Sequence, residues 1–345
     1  MEITTIGLDI AKRVFQAHGA DAMGNGVLRR KLQRSEVLTF FAAMPPCLVG
    51  IEACSTAHHW AREITALGHQ VRLMPASYVK PYVKRGKTDA ADAEAICEAV
   101  TRPTMRFVPI KSAEQQSVLM LHRARDLLVR QRTMLVNGLR GHMAEMGIIA
   151  PQGISRVADL VAILLGEDDT KLPRLARYAL RGLVAELEAL GDRVKEIEAA
   201  ILAWHMGNEA SRRLATIPGI GPITASAIVA TVTDPRQFHS ARQFAAWIGL
   251  VPKQNSSGGK ERQGGISKQG DRYLRRLLVL GATAVIRHAR TKITAQTAWL
   301  RGVLDRRPVR LASVAQANKT ARIVWALLAR SETYRAPGVG QVAVA

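Results

Sequence analysis

Near its start the chain reads Ile3-Thr4-Thr5-Ile6-Gly7-Leu8-Asp9, a short apolar run that ends in an acid. This pattern predicts a buried strand. Two further strand patterns follow at 14–19 and 26–32, and a turn rich in Gly, Asp and Asn separates them. Together the three segments predict the antiparallel start of a sheet.

Strand and helix patterns alternate over the next seventy residues. The predicted segments are a helix near 35–43, a strand at 47–52, a helix at 57–67, a strand at 70–74 and an Ala-rich helix at 89–101. A hairpin followed by βαβα units predicts a mixed sheet with helices packed on it, the α/β class.

The rest of the chain is predicted to be mainly helical. Long helices are expected at 112–140 and 180–204, where apolar residues recur at three- and four-residue steps. This pair predicts either an antiparallel coiled-coil arm or an ordinary helical linker domain. The expected boundaries are 1–108 for the α/β domain, 109–207 for the helical domain, 208–335 for a helical C-terminal domain and 336–345 for a frayed tail.

Charge and composition narrow the class of protein. Lys plus Arg number 49 and Asp plus Glu number 28, a formal net charge of +21. Such an excess favours DNA or RNA as the partner, and its spread along the chain disfavours a membrane surface. No signal-peptide core or long apolar span is visible, and Cys47, Cys54 and Cys97 fit neither a disulfide framework nor a zinc site. We therefore expect a soluble cytoplasmic protein with three reduced core cysteines.

Four acids form a candidate metal site. Asp9 and Glu52 each end a predicted strand, at the sheet edge where ligands gather in α/β proteins. Asp89 and Asp92 are three residues apart in a predicted helix, so they project from one face. If this helix crosses that edge, the four carboxylates repel one another unless divalent cations neutralise them. Two Mg²⁺ ions, or Mn²⁺ in their place, suit such oxygen ligands and phosphoryl transfer.

Each acid also has a purely structural interpretation. Asp9 could simply end a strand, and the stretch 7–12 also looks like the first phosphate loop of actin-like sugar kinases, although those usually continue with Gly-rich residues. Asp89 could be a helix-start acid favoured by the dipole, and Asp92 a surface residue. The joint setting of the four acids favours the catalytic interpretation.

A Gly-rich turn and a basic loop distinguish the C-terminal half. The stretch 217–225 has the pattern of a helix-hairpin-helix, which contacts a DNA phosphate through its backbone, or of a tight turn that only packs. The stretch 249–268 is flexible, basic and rich in hydroxyls, which predicts either a phosphate-binding surface loop or a loop that delivers a serine nucleophile. The candidate nucleic-acid contacts are Lys87, Gly219, Gly221, Lys253, Lys260, Arg262, Lys268, Arg272 and Arg275.

Over nearly its full length the chain resembles the transposases of insertion-sequence family one-ten, the DEDD transposases. The stretches 7–12, 51–53 and 87–93 are similar to the RuvC-like motifs of that family, and 217–224, 243–252 and 266–268 to its C-terminal transposase domain. The segment 53–60 departs from the common Thr-Gly-x-Tyr pattern and resembles one branch of the family. For His58 and His59 in this segment, packing or surface positions are expected, and an approach to the metal site is the alternative.

This resemblance implies a RuvC-like fold of RNase H type, a coiled-coil arm, and a small helical domain that carries a catalytic serine. The catalytic serine of the family corresponds to Ser257 in this sequence, and Ser256, one position earlier, is the alternative. The resemblance also implies that Asp9, Glu52, Asp89 and Asp92 bind Mg²⁺. The serine would attack the scissile phosphate and form a phosphoserine link.

The resemblance further implies partners. These are donor and target DNA, a structured non-coding guide RNA from the element, and a homo-oligomer, a dimer or a tetramer on DNA, whose site combines two subunits. A protein with these partners is expected to associate with the nucleoid. The alternatives are a RuvC-like junction nuclease that uses only the acids and water, and a non-catalytic nucleic-acid-binding protein.

Overall fold

The computed structural model describes residues 2–84, 86, 88–149, 153, 156–166, 172–260, 262–291 and 295–335. The chain divides into two compact units, Met1–Gln116 and Ser117–Ala345. Among the described helices, none is both long and apolar enough to cross a membrane. The predicted three-part division at 108 and 207 stays a prediction, and the predicted tail lies outside the described residues.

In the first unit, strands and helices alternate after an initial hairpin, as predicted. Their bounds are β1 Thr5–Ile10, β2 Val14–Ala20, β3 Gly26–Gln33, α1 Val37–Ala42, β4 Leu48–Glu52, α2 Ala57–Ala66, β5 Gln70–Met74, α3 Ala76–Val79 and α4 Asp89–Val100. The strands form one sheet in the order β3-β2-β1-β4-β5. Strand β2 is antiparallel to both its neighbours, and β1, β4 and β5 are parallel. This mixed sheet is consistent with an RNase H-like domain.

The two faces of the sheet bury different residues. Because side chains alternate along a strand, Ile6 and Leu8 of β1 point to one face, where they pack with Trp60 and Ile64 of α2. Gly7 and Gly50 belong to the opposite face. A Cβ on Gly7 would lie 2.1 Å from the Ala93 carbonyl oxygen and 2.3 Å from the Cys97 nitrogen of α4.

Gly50 makes a second close approach to the same helix. A Cβ there would lie 2.8 Å from the Val100 Cβ near the end of α4. Since glycine has no side chain, both strands let α4 lie directly on the sheet. The face that carries Gly7 and Gly50 is therefore the α4 face.

The second unit is helical, with one small β-hairpin. Its elements are α5 Ala113–Ala144, which begins at the end of the first unit, α6 Val157–Leu165, α7 Arg174–Gly207, α8 Glu209–Leu214, α9 Pro222–Thr231, α10 Ala241–Ile248, β6 Pro252–Gln254, β7 Gln263–Ile266, α11 Arg272–Thr291, α12 Ala295–Leu304 and α13 Val309–Arg330. An apolar core joins α8–α11 and α13.

Helices α5 and α7 run antiparallel. Leu139 and Met143 of α5 pack with Leu180 and Val184 of α7 in one apolar cluster. Toward the other end of the pair, the Nη2 atom of Arg125 lies 2.5 Å from the Oε1 atom of Glu198. The early part of α5 thus meets the late part of α7. Whether this pair acts as a coiled-coil arm stays a prediction.

The cysteines differ in burial. Cys47 and Cys97 are buried, whereas Cys54 is exposed in the turn that follows β4. Burial raises the pKa of the Cys47 and Cys97 thiols to about 11, so both are protonated at neutral pH. The prediction of three core cysteines is therefore wrong for Cys54, because the turn carries it away from the sheet core.

Gly7→Ala is expected to destabilise the protein by about 1–3 kcal/mol or more, because the added methyl group would overlap backbone atoms of α4 that cannot rotate away. Urea-induced unfolding followed by circular dichroism measures this loss. Gly191→Ala in α7 is the control: no atom outside its own helix lies within 4 Å of the new Cβ. It should be neutral or stabilising by about 0.5–1 kcal/mol. Equal stability of the two variants would contradict the contact between α4 and β1.

Candidate functional site

Two of the four predicted acids lie side by side on neighbouring strands. Strands β1 and β4 are parallel and Leu8 is paired with Ile51, so the next residues, Asp9 and Glu52, are adjacent. Their Cα atoms are about 5 Å apart, the spacing of paired strands. By strand alternation both side chains share the α4 face with Gly7 and Gly50.

Helix α4 contributes the other two acids. Its Ala93 backbone lies over Gly7, so Asp92 is next to the end of β1 and Asp89 is one turn earlier. The helix start is fixed by Thr88, whose hydroxyl oxygen accepts a hydrogen bond of 3.2 Å from the Ala91 N–H. The first turn of α4 therefore presents Asp89 and Asp92 where β1 ends.

The other three acids affect the ionisation of Asp9. Burial, and then the charges of Asp89, Asp92 and Glu52, raise the pKa of Asp9 to about 6. A hydrogen bond from the Ile10 backbone acts in the opposite direction. The three stretches of sequence that carry the acids thus lie near one another, while the prediction that the four acids form one catalytic site stays a prediction.

The donor set fits a divalent cation in chemistry and charge. Carboxylate oxygens are the ligands that Mg²⁺ prefers, and mutual repulsion of this kind is what a cation relieves. Asp9, Glu52 and Asp92 are partly exposed and Asp89 is exposed, so solvent reaches them. Within the described residues, however, no three His, Cys, Asp or Glu side chains are already close enough to hold a metal ion. The acids are neighbours rather than a closed coordination shell.

Neither histidine of the 53–60 segment joins the acids. His58 accepts a hydrogen bond of 3.2 Å from the Lys111 N–H. Burial, and then the charges of Lys111 and Arg62, lower the pKa of His58 to about 4. His59 is half exposed and lies 3.8 Å from a Glu63 oxygen. Both occupy the packing and surface positions that were expected of them.

The basic stretch of the second unit is a β-hairpin and not the open loop that its composition predicts. Strands β6 and β7 pair in antiparallel fashion, and the Lys260 N–H donates to the Ser257 carbonyl oxygen at 3.1 Å. Gly258 and Gly259, with φ of 56° and 75°, form the turn between them. Two consecutive positive φ angles are typical of a type I′ turn, which a Gly-Gly pair favours. Ser257 is exposed directly before this turn.

The base of the hairpin is held by close backbone contacts. A Cβ on Gly270, which has a φ of 71°, would lie 1.9 Å from the Trp247 carbonyl oxygen. Arg275 donates two hydrogen bonds of 2.7 Å from Nη1, to the carbonyl oxygens of Ile248 and Gln269. Its guanidinium therefore has structural partners, and the predicted contact of Arg275 with DNA stays untested.

Gly219 and Gly221 occupy the turn between α8 and α9 in different settings. Gly219 has a φ of 85°, and a Cβ there would lie 2.8 Å from the Gly281 carbonyl oxygen of α11. Packing alone therefore requires glycine at 219. Gly221 is the exposed N-cap of α9, with open space where a side chain would be. Backbone contact with a phosphate remains a prediction for both residues.

The other predicted nucleic-acid contacts are surface residues. Exposed side chains belong to Lys253, Lys260, Arg262, Lys268 and Arg272. Lys87 lies outside the described residues.

A buried polar network in the second unit has no signal in the sequence. The ring of His122 on α5 lies 3.1 Å from both the Tyr273 hydroxyl and the Ser226 Oγ. The Ser226 hydroxyl donates to the Pro222 carbonyl oxygen at 2.7 Å, so its oxygen accepts a hydrogen bond from Nε2–H of His122. The other ring nitrogen, Nδ1, then accepts a hydrogen bond from the Tyr273 hydroxyl. Burial, and then Arg125, lower the pKa of His122 to about 4. This neutral histidine joins α5, α9 and α11.

Comparison with known proteins gives matches over both units. A transposase model of the DEDD, IS110 type matches residues 6–148, and a model described as the transposase IS116/IS110/IS902 family matches residues 211–298. A probable family 20 transposase of Pseudomonas aeruginosa is 51% identical over 98% of this chain and 100% of its own length.

Two transposases of named insertion sequences are also similar. The transposase for insertion sequence element IS1111A of Coxiella burnetii is 43% identical, over 97% of this chain and 92% of its own length. The transposase for IS1328 of Yersinia enterocolitica is 39% identical, over 96% of this chain and 98% of its own. Similarity at this level extends through both units.

Asp9→Asn is expected to raise the melting temperature at pH 7.5 without divalent cations. The folded-state pKa of about 6 exceeds the ordinary value of 3.8, so ionised Asp9 lowers stability above pH 6, and the loss disappears as pH falls toward 4. The gain should be about 1 kcal/mol after solvent screening, roughly 2–4 °C. Differential scanning fluorimetry from pH 4 to 8 measures it.

Asp21→Asn is the matched control. This exposed carboxylate accepts hydrogen bonds of 2.9 Å from the N–H groups of Met23 and Asn25, which lower its pKa. Its substitution should leave the melting temperature unchanged or lower it. A gain for Asp21→Asn equal to that for Asp9→Asn would rule out crowding of the four acids as the cause.

Proposed function

Because this chain belongs to the IS110 family of DEDD transposases, the insertion-sequence family that its motifs resemble, we propose that it moves an insertion sequence by metal-dependent cutting and serine-mediated rejoining of DNA. The observation that carries this proposal is the position of Asp9 and Glu52 on adjacent parallel strands beside the first turn of α4, where the charges of Asp89, Asp92 and Glu52 help to raise the pKa of Asp9. Four interacting carboxylates on a strongly basic chain favour a site that brings divalent cations to phosphates.

The acid centre would hold the cations. Asp9 and Glu52 are fixed by adjacent parallel strands, whereas Asp89 and Asp92 depend on the position of α4. Bound Mg²⁺, as one or two ions, would stabilise negative charge on the phosphoryl oxygens. The carboxylates must be ionised to bind the metal, so the pKa of Asp9 near 6 predicts weaker binding in acid.

Ser257 would supply the nucleophile. Its hydroxyl oxygen attacks the scissile phosphorus, the bond from phosphorus to the oxygen of the leaving strand breaks, and that oxygen takes up a proton. The serine proton passes to solvent, and a phosphoserine ester remains. A strand-end hydroxyl then attacks this ester and regenerates the serine. Lys260, Arg262 and Lys268 on and beside the hairpin would offset the phosphoryl charge.

The partners follow from the family resemblance and from charge. We propose donor and target DNA as substrates, a structured RNA from the element as the guide, and a homo-oligomer in which the acids of one subunit act with the serine of another. The net charge of +21 supports contact with several nucleic-acid strands. Lys253, Arg272, Gly219 and Gly221 are the further proposed phosphate contacts.

Asp9→Asn and Glu52→Gln should each lower the rate of strand cleavage by at least about 100-fold, since losing some 3 kcal/mol of transition-state stabilisation has that effect. Cleavage of labelled element-end DNA in the presence of Mg²⁺ and the element RNA measures it. Asp21→Asn, an exposed turn acid, is the control and should cleave normally. Unchanged cleavage by Asp9→Asn would contradict a catalytic role for Asp9. DNA binding by the unmodified protein without any cleavage would indicate a non-catalytic nucleic-acid binder.

Ser257→Ala should abolish the covalent protein–DNA adduct while DNA binding persists. The adduct is detected as a labelled band that survives denaturing electrophoresis. Ser256 is the comparison, because it is the neighbouring exposed hydroxyl between β6 and the turn. Loss of the adduct in Ser256→Ala, and not in Ser257→Ala, would identify Ser256 as the nucleophile. Normal cleavage by Ser257→Ala with no adduct in the unmodified protein would indicate a junction nuclease that uses water.

A further inference from the structure

A basic cavity lies where β1 and β3 end and α2 begins. Its volume is about 540 Å³, and its lining residues are Lys12, Arg13, Gln33, Arg34, Ser35, His59 and Trp60. The two sides of the cavity are joined by a hydrogen bond of 3.0 Å from the Arg34 N–H to the Arg13 carbonyl oxygen. Because Lys12 and Arg13 follow Asp9 in the turn after β1, the cavity shares a sheet edge with the acid centre.

The three cations of the cavity carry no compensating charge from the described residues. Lys12, Arg13 and Arg34 are exposed, and none forms an ion pair in the part of the chain that the structure describes. Two acids lie near other lining residues. Glu36 accepts a hydrogen bond of 2.6 Å from the Gln33 N–H, and Glu63 is 3.8 Å from the His59 ring. The cavity therefore has a net positive potential.

Aromatic rings hold one of these cations in place. The Arg34 guanidinium carbon is 5.1 Å from the Trp60 ring centroid and 5.8 Å from that of Phe15. Ring contact orients a guanidinium whose N–H edges can grip two phosphate oxygens. The Arg34 guanidinium is therefore positioned against two aromatic rings at the wall of the cavity.

Two further features favour an anionic ligand. Trp60 is buried, and its Nε1–H has no acceptor among the described residues. Unsatisfied buried donors are uncommon and often mark a place where a ligand or water oxygen binds. The first turn of the ten-residue helix α2 also borders the cavity, and the positive end of the helix dipole adds to the attraction for an anion.

We propose that this cavity binds the phosphodiester backbone of the DNA strand whose scissile phosphate reaches the acid centre. This inference rests on the proposed function. If Asp9 and Glu52 act on a DNA strand, that strand continues along the same sheet edge and reaches the cavity. The donors are Lys12, Arg13 and Arg34, together with the neutral side chains of Gln33 and Ser35. Contacts of this kind position a strand without reading its sequence.

The test is the salt dependence of DNA binding by the full-length protein. Fluorescence anisotropy of a labelled DNA duplex, at 50–200 mM salt without divalent cations, gives the slope of log affinity against log salt. Each phosphate contact contributes about 0.9 to that slope. The double variant Lys12→Gln/Arg13→Gln should therefore have a slope shallower by about 1.8, and Arg34→Gln by about 0.9. Arg34→Lys should largely keep the slope.

A matched double variant controls for the loss of two charges. Arg102 and Arg106 follow the C-terminal end of α4, at the other end of that helix from Asp89, and both are exposed. Arg102→Gln/Arg106→Gln should keep the slope of the unmodified protein. Lys12 and Arg13 lie in an exposed turn, so their substitution should leave the melting temperature unchanged.

The outcomes separate this proposal from the proposed function. A slope for Lys12→Gln/Arg13→Gln equal to that of the control variant would overturn it. So would a loss confined to a single-stranded RNA probe of the same length, with DNA binding intact. Neither result depends on cleavage, which the Asp9→Asn experiment tests. With both proposals correct, the double variant cleaves normally at saturating DNA but needs at least about 10-fold more DNA to saturate, the effect of losing some 1.4 kcal/mol of binding.

Discussion

The close contact of α4 with the sheet is the constraint on which the acid centre depends. Gly7 and Gly50 have no side chains, so the helix backbone lies against β1 and β4 at distances that a Cβ atom would not allow. That contact brings the first turn of α4 to the end of β1. Asp89 and Asp92 then lie near Asp9 and Glu52, and burial, followed by the charges of the other three acids, raises the pKa of Asp9. The two glycines thus allow α4 to bring its acids to the strands that carry the other two.

Local patterns predicted most of the fold. The strand at 3–9, the strand at 47–52 and the helix at 89–101 match β1, β4 and α4 within two residues, because alternation and helical period are properties of short segments. Strand ends and helix spacing predicted the adjacent strand positions of Asp9 and Glu52 and the shared helix turn of Asp89 and Asp92, and their joint site stays a prediction. The need for glycine at positions 7 and 50 could not be predicted, because it depends on contacts with α4, which lies far along the chain.

Other differences have equally specific causes. The polar composition of 249–268 hid a Gly-Gly turn, so an ordered hairpin was taken for a flexible loop. The two backbone carbonyl groups that accept hydrogen bonds from the Arg275 guanidinium could not be predicted either, and the predicted DNA contact of Arg275 stays a prediction. Cys54 is exposed in a turn and His122 is buried between three helices, and neither position leaves a periodic signal in the sequence, so neither could be assigned from it.

The network around His122 bears on how the chain folds during synthesis. His122 is bonded to residues 104 and 151 positions later, so the core of the second unit cannot close until α11 has left the ribosome. The first unit is contiguous and has its own apolar core. The nascent chain can therefore complete the sheet that carries Asp9 and Glu52 before the hairpin that carries Ser257 has even been translated.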